Sequence, residues 1–128
     1  MPVNLDHFIV PSRDRVAAAK LLGEILGVPW EETAAIGPFS AVHVNEGLTV
    51  DFQDTTEAFP IEHYCFRVSQ QEFDAILRRL EGAGIKYRSE VAGSDDNKVG
   101  PYTNVYWNEP DGHYWEVLTT SYARPRGS

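Results

Sequence analysis

At 128 residues and 42% hydrophobic composition, the chain is sized for one compact domain with a real core. Its net charge of −8, from 11 Lys and Arg against 19 Asp and Glu with no basic cluster, excludes a nucleic-acid backbone as partner. No apolar run approaches the roughly 20 residues that span a bilayer, and the start lacks a signal-peptide pattern. A single cysteine, Cys65, excludes an intramolecular disulfide and fits a reducing compartment, so a cytoplasmic location is expected.

In chain order, residues 4–10 read as a strand stopped by Pro11. Ser12 is placed to cap a helix whose buried side is Val16, Ala19, Leu22, Ile25 and Leu26, and Gly27 ends it. Strand-like pieces follow at 30–35, 39–45 and 48–53, the last two joined as a hairpin by Asn45-Glu46-Gly47. Residues 61–68 are again a strand. Ser69-Gln70-Gln71-Glu72 then forms a capping box, and Phe73, Ile76, Leu77 and Leu80 follow at helical spacing before Gly82 and Gly84. Strands at 85–91 and 103–107 flank a polar, Gly-containing stretch, Ala92 to Tyr102. Glu109-Pro110-Asp111-Gly112 reads as a tight turn into a last strand at 113–120.

This order is one unit used twice. Leu5-Asp6-His7-Phe8 and Ile61-Glu62-His63-Tyr64 each run aliphatic, acidic, His, aromatic, and the two histidines stand 56 positions apart (63 − 7). Aligning the halves sets Asp51 opposite Glu116, 65 apart, so the second half holds nine more residues, which the stretch before Thr103 accommodates. The expected architecture is α+β, with two βαβββ modules (about 1–57 and 58–122) in a single domain. Residues 123–128 are expected to be a flexible tail.

Strand side chains alternate between faces. Phe8, Val10, Phe52, Tyr64, Phe66, Trp115 and Val117 share one parity and form an apolar face for the helices to cover. His7, Asp51, His63 and Glu116 take the other. If the sheets curve together and the first and last strands of each half are neighbours, these four line a shared cavity. Two imidazoles and a carboxylate suit a divalent first-row metal ion (Fe, Mn, Zn, Ni or Co), with Asp51 as a fourth ligand or a group behind the ligands. His43 has inward parity on a neighbouring strand. His113, after a turn glycine, is expected to be exposed. Cys65 reads as an inert cavity-wall thiol without a base beside it. Arg67 shares the parity of His63 and fits either a surface ion pair or an anchor for an anionic substrate group. Trp30, Tyr102, Tyr106 and Trp107 read as core or cavity lining.

At these residues the sequence resembles the vicinal oxygen chelate superfamily, which includes glyoxalase I, extradiol dioxygenases, methylmalonyl-CoA epimerase and the fosfomycin and bleomycin resistance proteins. The resemblance runs from Leu5 to Thr120 and is carried by Leu5-Asp6-His7, Leu26-Gly27, Ile61-Glu62-His63 and the closing 109–117 segment, which looks like the family's Asp-Pro-Asp-Gly run into its last metal-binding Glu. It implies curved sheets forming an open, cup-shaped barrel with the helices outside, and it sets His7, His63 and Glu116 on the three common ligand positions. Asp51 falls where glyoxalase I-like members carry a fourth. The implied activity is metal-dependent, lyase, isomerase or dioxygenase in type, on a small molecule that offers two vicinal oxygens. A binding protein that sequesters a drug is the competing reading. Glutathione-binding features are not recognisable, and metal-free members lack the ligands retained here. A homodimer is expected from exposed sheet edges, and the 92–102 stretch is expected either to close over substrate with Tyr102 or to be a plain surface loop.

Overall fold

The computed structural model describes residues 3–89 and 104–123. The chain divides between Pro60 and Ile61 into two compact units, each described here by itself.

The first unit runs β1 (His7–Ser12), α1 (Arg15–Leu26), β2 (Trp30–Glu31), β3 (Phe39–Asn45) and β4 (Leu48–Asp54). Its sheet has the order β1-β4-β3-β2, with β1 parallel to β4 and the other pairs antiparallel. β1 continues through Pro11 instead of ending there, because it lies at the sheet edge, where a missing N–H costs no ladder bond. Asp14, not Ser12, caps α1: its carboxylate accepts from the Ala17 N–H, while the Ser12 hydroxyl accepts from the Asp14 N–H. Gly27 ends α1 in the left-handed conformation at φ 73°, as its position suggested. The helix buries Ala18, Ala19, Leu22, Gly23 and Ile25 and packs chiefly on β3 and β4, whose Val50 and Phe52 are fully enclosed. The expected 30–35 strand shrinks to two residues, after which the Ser40 hydroxyl donates to the Glu32 carbonyl and the Ala34 N–H to the Phe39 carbonyl.

The second unit repeats the plan as β5 (His63–Arg67), α2 (Gln70–Gly82), β6 (Asn104–Asn108) and β7 (Tyr114–Leu118). Its sheet order is β5-β7-β6, with β5 and β7 parallel. The Ser69–Glu72 capping box is present with both of its bonds. Of the strand expected at 85–91, residues 85–89 are described and hold one antiparallel bridge, Arg88 to Tyr106, while 90 and 91 lie outside the described residues. The apolar face holds Trp107, Trp115, Val105 and Val117, with Trp115 stacked between Tyr64 and Phe66 at centroid distances of 5.0 and 6.1 Å. In both units the first and last strands are neighbours in the same register. His7 pairs with Thr49, two residues before Asp51, and His63 pairs with Tyr114, two residues before Glu116. Two small sheets with two helices make the fold α+β. Among the described residues no helix is long and apolar enough to cross a membrane.

Candidate functional site

Strand parity works as expected. On β5 and β7, His63, Cys65 and Arg67 share a face with Tyr114, Glu116 and Leu118, and Tyr64, Phe66, Trp115 and Val117 take the other. The acidic member of this polar face is the unusual one. Glu116 is only 2% exposed, and burial of a carboxyl group is tolerated when its oxygens are hydrogen-bonded. Hydrogen-bond donors reach it from several sides. His63 Nε2 lies 2.8 Å from Oε1, Asn104 Nδ2 donates to Oε2 at 3.1 Å, and the Tyr122 hydroxyl lies 2.7 Å from both oxygens.

Neither Asn104 nor Tyr122 was singled out from the sequence. Asn104 has the inward parity of Tyr106, a usable signal. Tyr122 follows the last strand, where no periodicity predicts its direction. Desolvation first, then its bond to Glu116, drives the Tyr122 phenol well above its ordinary value. Cys65 stands directly opposite Glu116 in the ladder, and partial desolvation followed by that carboxylate pushes its thiol up to about 12. A thiol held protonated is a poor nucleophile, in keeping with an inert wall residue.

His113 overturns the expectation of exposure: it is fully buried. Its Nδ1 accepts the backbone N–H of Glu62 at 3.0 Å, and its own N–H donates to Glu109 Oε1 at 2.8 Å. Gly112, at φ 96°, makes the turn that brings the imidazole inward. The 109–113 turn is therefore a buckle that fixes the backbone one residue before His63. Burial, then the neighbouring Asp111, raises the Glu109 carboxyl to about 7.

The first unit is more open. His7 is exposed, and its Nδ1 lies 2.7 Å from the Asp6 carboxylate, a contact that raises its pKa. This bond leaves Nε2 as the nitrogen available to a ligand, the arrangement by which a carboxylate orients a metal-binding imidazole. Asp51, in the middle of β4, is half-buried. Desolvation raises its pKa against the opposing pull of His7 and His43. His43 shares this face but is engaged by Glu31 and by the Thr49 hydroxyl. Tyr106 faces the Glu116 side of its sheet and carries the Arg88 guanidinium 5.0 Å from its ring centroid.

Thus His63 and Glu116 meet in the second unit, and His7 and Asp51 sense each other electrostatically in the first. Among the described residues no group of three His, Cys, Asp or Glu side chains is gathered at one point. Tyr102 and the rest of the 92–102 stretch lie outside the described residues.

A cavity of about 440 Å³ opens on the second unit's polar face, lined by His63, Cys65, Arg67, Leu118, Ser121, Tyr122 and Ala123. Its volume suits a small organic molecule.

No family model and no curated protein sequence matches the chain. Solved structures do. The oxidase ChaP-H2 superposes with a TM-score of 0.78 and 34% identity, over 100% of this chain and 98% of that one. The oxidase ChaP-H1 gives 0.75 and 33%, over 99% and 100%. At 16% identity, the fosfomycin resistance protein FosX from Listeria monocytogenes, complexed with Mn(II) and sulfate, shares the fold with a TM-score of 0.67 over 95% and 94%. Full-length identity at this level to two oxidases, joined to a twofold strand–helix–sheet unit with matched register, means that the chain belongs to the vicinal oxygen chelate superfamily.

Proposed function

We propose that the chain is a metal-dependent oxidoreductase, of oxidase or dioxygenase type, acting on a small molecule that carries two adjacent oxygens. The observation that carries this reading is the His63–Glu116 pair: an imidazole nitrogen and a carboxylate oxygen 2.8 Å apart on neighbouring strands, beside a cavity. The donor set fits a divalent first-row ion, because borderline nitrogen and hard oxygen donors converge there without a competing thiolate. In this reading His7, His63 and Glu116 hold the ion, and Asp51 tunes His7 from behind. When bound, the ion supplies Lewis acidity to the vicinal oxygens of the substrate.

The protein's own groups prepare that site. Asn104 and Tyr122 fix the Glu116 carboxylate, Asp6 selects the His7 nitrogen that faces outward, and the 109–113 buckle holds the strand bearing His63. The choice of oxidoreductase over lyase or isomerase rests on the oxidases at 34% and 33% identity. The homodimer also belongs to this proposal, supported by β5 ending its sheet; light scattering tests it, and a monomer at micromolar concentration would remove it.

Elemental analysis and Mn(II) titration of protein purified without a histidine tag test the metal. The expected result is about one ion per chain, with His63→Ala weakening binding at least about a hundredfold. A folded His63→Ala protein with wild-type metal content would sink the assignment.

A further inference from the structure

The cavity beside Glu116 has two chemically different ends. One end is His63, bonded to Glu116 on the neighbouring strand, which stands opposite Cys65. From there the strand face continues through Cys65 to Arg67, four residues or about 13 Å of extended backbone away. The rest of the wall is Cys65, Leu118, Ser121, Tyr122 and Ala123. Arg67 is exposed, and among the described residues no carboxylate pairs with its guanidinium, although Arg15, His7, His43 and His63 all have acidic partners. In a chain of net charge −8 an unpaired cation on a cavity wall is the local exception. A guanidinium offers a planar fork of donors matched to a carboxylate, and it stays charged at any physiological pH. A field that is negative elsewhere sharpens the choice, because an anion is attracted only where that cation dominates.

We propose that this cavity takes a small oxygenated molecule carrying a carboxylate, with the carboxylate on Arg67, its apolar part against Leu118 and Tyr122, and the oxygens toward His63 and Glu116. This deepens, and rests on, the function proposed above by naming the substrate class. His63 and Arg67 stand four residues apart along the strand, so a bifunctional substrate has a separate group for each end.

The test uses two probes that differ only in charge, catechol and 3,4-dihydroxybenzoate, titrated calorimetrically into the Mn(II)-supplemented full chain. The wild type should bind the carboxylate probe at least tenfold more tightly. Arg67→Gln should bring the ratio close to one by weakening that probe alone, and Arg67→Lys should keep part of the preference. Arg67 is exposed, so both variants are expected to fold, which circular dichroism checks. An unchanged ratio in Arg67→Gln would overturn the proposal, as would a wild type that shows no preference or binds neither probe. Mn(II) binding, measured on the same samples, separates the two readings. A wild type that binds no Mn(II) yet keeps an Arg67-dependent preference removes the metal and leaves the carboxylate site. Normal Mn(II) binding without a preference does the reverse.

Discussion

The two units share a backbone plan and differ in how they treat its polar residues. In each, the histidine opens an edge strand parallel to the strand that carries the acid, and the pairing register is the same. Yet His7 leans on the exposed Asp6, whereas the strand of His63 is tied by a buried imidazole from the far side of its sheet. Asp51 is half-buried, and the groups shown to act on it are two imidazoles across the face. Glu116 is enclosed, with His63, Asn104 and Tyr122 hydrogen-bonded to it. Duplication preserves what the ladder demands. The half that supplies two of the three proposed ligands has added rigid support around them, since a site is only as well defined as the groups that hold it.

The sharpest way to break this comparison is to neutralise each acid in turn. Glu116→Gln should weaken Mn(II) binding at least about a hundredfold, and Asp51→Asn no more than about tenfold. Equal losses by calorimetry would make the two carboxylates equivalent and remove the distinction.

The next contrast is in stability. His113→Ala empties a fully buried position and strands the Glu62 N–H, so urea unfolding should show a loss of about 2–4 kcal/mol. His7→Ala removes an exposed side chain and should stay within about 0.5 kcal/mol. A large cost at His7 would mean that the first unit has buried support of its own.

The smallest effect concerns pH. Glu109 holds its proton more tightly in the folded state, at about 7, than its ordinary value of 4.5. At this group the folded protein therefore binds more protons than the unfolded chain between those values, so Glu109's contribution to stability is fully present below about pH 4.5 and is lost as pH rises through about 7. With allowance for water access, the fall is about 1–2 kcal/mol. Glu109→Gln, which keeps an oxygen for the His113 N–H, should flatten that part of the profile. An unaltered slope would place the titration elsewhere.

What the sequence disclosed follows from what is local. Alternation along a strand is set by backbone geometry, so the opposite faces of His63 and Tyr64, or of Glu116 and Trp115, were readable without knowing the partners. The capping box at Ser69 and the helix stop at Gly27 were equally local. The errors lie where a distant group decides. His113 follows a turn glycine, a pattern that favours exposure, but it is drawn inward by a backbone N–H 51 residues earlier. Ser12 lost the helix cap to Asp14 because its hydroxyl serves the Asp14 N–H first. Residues 85–89, the described part of a stretch with strand composition, hold a single bridge at Arg88. Tyr122 could not have been found, since nothing beside it in sequence tells that its hydroxyl turns back onto Glu116.

Pro11 bears on how the protein avoids unwanted company. In β1 the Asp6 and Ser12 carbonyls face β4, accepting from Thr49 and Thr55, so by alternation His7, Ile9 and Pro11 direct their backbone groups outward. One of those three positions has no donor to offer. In β5 the corresponding outward positions are His63, Cys65 and Arg67, and each of them has an N–H. An unfamiliar strand laid along the first edge would meet a gap in the ladder and the bulk of a pyrrolidine ring, whereas along the second it would find every position filled. Promiscuous strand addition, and the fibrous association that can follow from it, is thus discouraged at one edge by a single residue whose presence inside a strand looks at first like a flaw.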